Sequence, residues 1–125
     1  MKVKVTTQKR ENYVLIEVIG EVDYLLDMKS LAARHLLEMI NNNVNKIVVD
    51  SRELIIPHIT KFSLSLIHHY IDPLPLELKH FNITIVINKV YQELGRLWKA
   101  ACNNRGFEGF NVFYDLDEAI NWTNE

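Results

Sequence analysis

The chain has little cysteine, glycine or proline: one Cys, four Gly and three Pro in 125 residues. The lone Cys102 excludes an intramolecular disulfide and makes a reducing compartment the expected setting. The glycines, at positions 20, 95, 106 and 109, never assemble into a phosphate-cradling loop, which removes the common nucleotide-binding signatures. No apolar run approaches the about 20 residues that a spanning helix needs, and the first residues lack the apolar core of a signal peptide. No membrane span and a cytoplasmic location are therefore expected. An excess of one charge is also missing. Fourteen Lys and Arg face sixteen Asp and Glu, a net charge of −2, and the basic residues are scattered from Lys2 and Lys4 to Arg96 and Arg105. That balance gives no electrostatic reason to expect nucleic acid.

What is present reads as one α/β domain over residues 1–125, since apolar residues make up 48% and a chain of this size buries roughly two thirds of its unfolded surface. Val3 and Val5 alternate with lysines, and "YVLIEVI" at 13–19 forms a second extended run that Gly20 ends, with "TTQKREN" as the hairpin connection between them. From Asp27, an available N-cap, Met28, Leu31, Ala32, Leu36, Met39 and Ile40 recur at helical spacing as far as "NNN". Residues 46–49 make a third strand, 62–70 a helical face of Phe62, Leu66 and Tyr70, and 81–87 a fourth strand. Val90, Leu94, Leu97, Trp98 and Ala101 then line a helix over 90–103, which "NNRG" stops. Residues 110–114 form a fifth strand, and Asp115 caps a short last helix. The expected fold class is α/β, ββαβαβαβα, with a mostly parallel five-stranded sheet, an antiparallel first strand at its edge and four flanking helices.

These residues carry a resemblance. "VLIEVIGEVD" at 14–23, a helix, and then "KIVVDSREL" at 46–54 resemble the opening of STAS domains, the fold of bacterial anti-sigma-factor antagonists. "FNVFYDLDEAINW" at 110–122 looks like the final strand and helix of the same group, especially its SpoIIAA-like branch. The resemblance implies a regulatory protein whose helix after the third strand begins with an Asp-Ser-Ser-Gly-like turn, its first serine phosphorylated by a partner kinase. Counted forward without gaps from Asp50, His58 falls on the aspartate, Ile59 on the phosphorylated serine, Thr60 on the second serine and Lys61 on the glycine. The acceptor hydroxyl is absent where the switch needs it. A one-residue difference in the loop would bring Thr60 into place as a phospho-acceptor, at a helix N-terminus that favours an anion. The preferred reading is that Thr60 caps the helix.

Other constellations weigh less. His68, His69 and Asp72 share part of a helix face but fall short of a metal site, and solvated or half-buried histidines account for them. Cys102 sits at the end of an amphipathic helix, where the dipole opposes a thiolate. Asp50, Ser51 and Glu53 lie at a strand end, where open α/β sheets carry their sites, yet Asp50 is better read as fixing the following loop by hydrogen bonds. Trp98, Trp122, Phe107, Phe110 and Phe113 form an aromatic quarter that belongs mostly to the core.

The functional expectation is a non-enzymatic regulatory or protein-interaction module without metal or cofactor. It would work through Asp50, Ser51, His58, Ile59, Thr60 and Lys61, with a kinase-like or sigma-regulatory protein as the partner that the resemblance implies. Any homodimer would use a helix face, because Lys2 and Lys4 charge the edge strand. The alternative is a small apolar or lipid-like ligand-binding domain, since SpoIIAA-like domains resemble the CRAL-TRIO fold. A filled core would separate the first reading from the second.

Overall fold

The computed structural model describes residues 2–22, 24–57 and 79–125. The chain opens with β1, Lys2–Lys9, and β2, Val14–Glu21, an antiparallel hairpin that pairs Lys2 with Glu21 and Lys9 with Val14. Helix α1, Tyr24–Asn41, leads into β3, Lys46–Ser51, which lies parallel to β2. After a two-residue turn, β4, Leu54–Ile55, resumes pairing with β2 at Gly20 and Glu21. β5, Asn82–Ile87, pairs parallel to β3, and β6, Phe110–Phe113, pairs parallel to β5. Helix α2, Gln92–Asn104, connects those two strands, and α3, Leu116–Asn124, ends the described chain. The sheet order is β1-β2-β3-β5-β6, with β4 continuing the line of β3 alongside β2.

Period-two alternation sorts the side chains onto two faces. Val14, Ile16 and Val18 of β2, Ile47 and Val49 of β3 and Phe110 of β6 form one core with Leu31 and Met39 of α1 and Leu94, Ala101 and Cys102 of α2. The opposite face holds Val48 and Val86 against Ala119 of α3, with Leu116 and Ile120 beside them. The fully buried Thr84 would be a costly polar group there, but its hydroxyl meets that of Thr123 at 3.0 Å, which also donates to the Ala119 carbonyl at 2.8 Å. Lys46 Nζ adds a bond to the Thr123 carbonyl at 2.9 Å, placing a cation at the negative end of α3.

The architecture is the expected α/β sandwich, mostly parallel with an antiparallel edge, but several elements differ in detail. Among the described residues the sheet has six strands, not five, because β3 is interrupted and β4 follows. β1 extends through Thr6, Thr7, Gln8 and Lys9, residues expected in the connection, because an exposed edge strand needs no apolar alternation to pair. Gly20 does not end β2; it lies within the strand at φ 131°, where the register slips by one residue against β3 and β4. Helix α1 starts at Tyr24, so Asp27 occupies its first turn, where the dipole also welcomes a carboxylate, rather than its cap. Its inward stripe is rotated from the expected one: Ile40 is 59% exposed, while His35 stands between the buried Leu31 and Met39. The expected α2 over 90–103 divides into a 3-10 turn, Lys89–Tyr91, and the helix proper. That helix ends as expected, with Gly106 at φ 94° and Phe107 N–H bonded to the Cys102 carbonyl at 2.9 Å. The helix expected over 62–70, and His68, His69 and Asp72 with it, lie outside the described residues.

Candidate functional site

The parallel strands β3, β5 and β6 end on the same side of the sheet, and the residue at or just past each end secures the turn that follows. Asp50 Oδ1 accepts the Arg52 backbone N–H at 3.3 Å, Asn88 Oδ1 accepts Val90 N–H at 3.0 Å, and Asp115 Oδ1 accepts Glu118 N–H at 3.1 Å. The last of these is the expected N-cap of α3. At this edge Asp50 is the most committed group. It is 7% exposed and grips the Arg52 guanidinium at two points, Nε at 2.8 Å and Nη2 at 2.9 Å. A buried carboxylate needs such a partner, and the bidentate fork is the strongest one an arginine offers. The hydrogen bonds that Arg52 donates to Asp50 first, and then the charges of Asp50, Asp115 and Glu53, hold the guanidinium above the usual arginine range. Asp50 therefore fixes the turn between β3 and β4, and none of its geometry leaves a lone carboxylate poised for proton transfer.

Ser51 is likewise buried, at 6% exposure. The chain then runs to the loop along a tightly held track. Val22 N–H donates to the Ile55 carbonyl at 3.0 Å, and Ile56 N–H donates to the Tyr91 hydroxyl at 3.0 Å. Pro57 follows at the carboxyl side of the sheet. His58, Ile59, Thr60 and Lys61 lie outside the described residues, so of the expected site the structure describes only Asp50 and Ser51, consecutive residues of β3 that are both buried.

Exposure falls on different residues. Ile55 is 56% exposed and Val90 76%, joined through their neighbours by the bond between Ile56 and Tyr91; Arg52 and Glu53 are exposed beside them. Val90 was expected on the apolar stripe of α2, but the 3-10 turn lifts it out of that helix and away from the core. Tyr91 was not foreseen at all, because a hydroxyl that holds a backbone N–H 35 residues away leaves no local pattern. Tyr114, 38% exposed, stands past the end of β6.

Reactive chemistry finds little footing among the described residues. No group of three His, Cys, Asp or Glu is arranged to hold a metal ion. Cys102 is buried, and that burial pushes its thiol up to about 12. No helix of the described residues is long and apolar enough to cross a membrane.

Comparison with known proteins agrees with this geometry at the level of the fold. No protein-family model and no curated protein matches the sequence. The similar solved structures include two that cover 98% of the chain. One is an anti-sigma factor antagonist from Mycobacterium paratuberculosis, 12% identical, with TM-score 0.60 and 95% of that chain covered. The other is an uncharacterised protein of the DUF3478 family with a SpoIIAA-like fold from Shewanella loihica, 19% identical, with TM-score 0.51 and 94% covered. The fold of this chain is SpoIIAA-like.

Proposed function

We propose that the chain is a non-enzymatic regulatory module that binds another protein through the carboxyl end of its sheet. The surface comprises Asp50 and Ser51 as its supports and His58, Ile59, Thr60 and Lys61 as the loop they launch, with Thr60 acting as a helix cap and no phospho-serine switch. A kinase-like or sigma-regulatory protein is the kind of partner that the likeness to an anti-sigma factor antagonist favours. The observation that carries the reading is the division of labour at this edge. Its polar strand-end groups are consumed in fixing turns, while Ile55 and Val90, each next to one partner of the hydrogen bond between Ile56 and Tyr91, are left exposed. Exposed apolar side chains beside a rigid frame suit recognition rather than turnover.

The test uses charge insertion on that corner. The chain and its Ile55→Glu and Val90→Glu variants are isolated from their own cells under gentle conditions. The reading expects a bound protein in the parent that both variants lose and that a Leu37→Glu variant, altered at an exposed position on α1, keeps. A bound protein retained by both corner variants, or a parent with no bound protein, contradicts it.

A further inference from the structure

The two edges of the sheet are finished differently. On β6 the outward N–H groups are occupied locally: Phe110 N–H donates to the Phe107 carbonyl at 3.3 Å, and Val112 N–H to Asn111 Oδ1 at 2.9 Å. With only four residues and its donors occupied, that edge is closed to another strand. β1 runs for eight residues. Arg10 N–H donates to the Tyr13 carbonyl at 2.9 Å, which makes that pair a hydrogen-bonded one in the hairpin register. Antiparallel ladders alternate, so Gln8, Thr6 and Lys4 bond to β2, and the N–H and C=O groups of Lys9, Thr7, Val5 and Val3 point away from the sheet. Thr6, Thr7, Gln8 and Lys9 are all exposed, and no described strand lies beyond them.

Charge distinguishes this edge further. Residues 2–10 contain Lys2, Lys4, Lys9 and Arg10 and no acid, so all sixteen acidic residues and the other ten basic ones lie elsewhere in the chain. A basic edge thus belongs to an otherwise acidic molecule. Lys9 Nζ is committed to the Asn42 carbonyl at 2.8 Å and Arg10 Nη2 to Gln8 Oε1 at 2.7 Å, while Lys4 is exposed. A second copy of β1 would bring its own lysines and no carboxylate, and like charges across a ladder repel. A strand carrying acids would set one in the close, non-hydrogen-bonded position opposite Lys4.

We propose that the outer edge of β1 is a strand-addition site for an extended, acidic segment of a partner protein. Main-chain groups of Val3, Val5, Thr7 and Lys9 supply the ladder, and the lysines supply the choice of partner while discouraging self-pairing. This site lies at the edge strand, apart from the surface proposed above, and stands or falls independently of it.

The experiment follows backbone amide exchange by NMR on the full chain. The probe is a capped peptide of alternating glutamate and valine as long as β1; the lysine and valine counterpart and a single-stranded DNA oligonucleotide are the comparisons. Exchange at Val5 and Thr7 should slow about tenfold when the free peptide stands about ten times above its Kd. Amides already paired to β2 should be unchanged. Thr7→Pro removes one outward donor at a position where an edge strand tolerates proline, and should abolish the protection. Lys4→Glu should turn the preference toward the lysine peptide, and decides the matter by itself if Thr7→Pro does not fold. No protection by the glutamate peptide, equal protection by the lysine peptide, or equal protection by DNA overturns the proposal.

Discussion

His35 makes the fold sensitive to acid. It occupies the inward stripe of α1, one turn from Leu31 on one side and from Met39 on the other, where an apolar residue would be the ordinary choice. Its Nδ1 is buried with no hydrogen-bond partner among the described residues. Burial first, and the neighbouring charge of Arg34 second, lower its pKa from 6.5 to about 4. Because the folded value lies below the unfolded one, the unfolded chain takes up the proton first. Stability is complete above about pH 6.5 and is lost as pH falls toward 4. Linkage sets the loss at about 2 kcal/mol by pH 5 and about 3 kcal/mol near pH 4, reduced by whatever relaxation the imidazolium induces. Urea unfolding across that range measures it. The His35→Leu variant, which fills the site without a titrating group, should lack this share of the pH dependence and at neutral pH should be as stable as the parent or more so. An identical acid response in parent and variant would refute the burial of the His35 imidazole.

The remaining predictions concern the sheet edge and its loop. Arg52→Ala strips the buried Asp50 carboxylate of its fork and should cost about 1–3 kcal/mol in denaturant unfolding, whereas removing both partners together in Asp50→Asn with Arg52→Ala should cost less than the two single changes combined. Gly109→Ala places a Cβ against the Phe81 carbonyl and 2.6 Å from Asn82 Oδ1, at the point where Ile83 N–H bonds the Gly109 carbonyl; a loss of about 1–3 kcal/mol in thermal or urea melts is expected. At Thr60 the capping reading expects Asp to preserve stability and Val to lose about 1 kcal/mol, with neither reproducing a phosphorylated state. A larger effect of Asp than of Val on partner affinity would restore the switch.

Much of this architecture was legible because it rests on period and punctuation. The runs expected as strands over 13–19, 46–49 and 81–87 fall on β2, β3 and β5, Asp115 is a cap, and Gly106 takes the left-handed position that stops α2. What escaped depends on contacts between distant parts of the chain. β4 is two residues long and exists only because β2 continues past Gly20 to receive it. The pairing of Thr6 to Lys9 is dictated by β2 rather than by their own composition. Val90 fits an apolar stripe in sequence and lies outside it in space because Asn88 caps a 3-10 turn. At the candidate site, the loop-fixing role of Asp50 was readable from its place at a strand end. Its arginine partner two residues on was not, since a short-range salt bridge and an unpaired surface arginine look alike in sequence.

On the proposed function, the carboxyl end of the sheet recognises a protein without a phosphate switch or a small ligand. Native mass spectrometry of the chain isolated from its own cells tests it most directly, because one spectrum reports bound protein, phosphate and small molecules together. A complex with a second protein in which this chain has its unmodified mass is expected, together with loss of that complex in the Ile55→Glu variant. A chain that carries a small apolar molecule and no protein, or stoichiometric phosphate at Thr60, would contradict it.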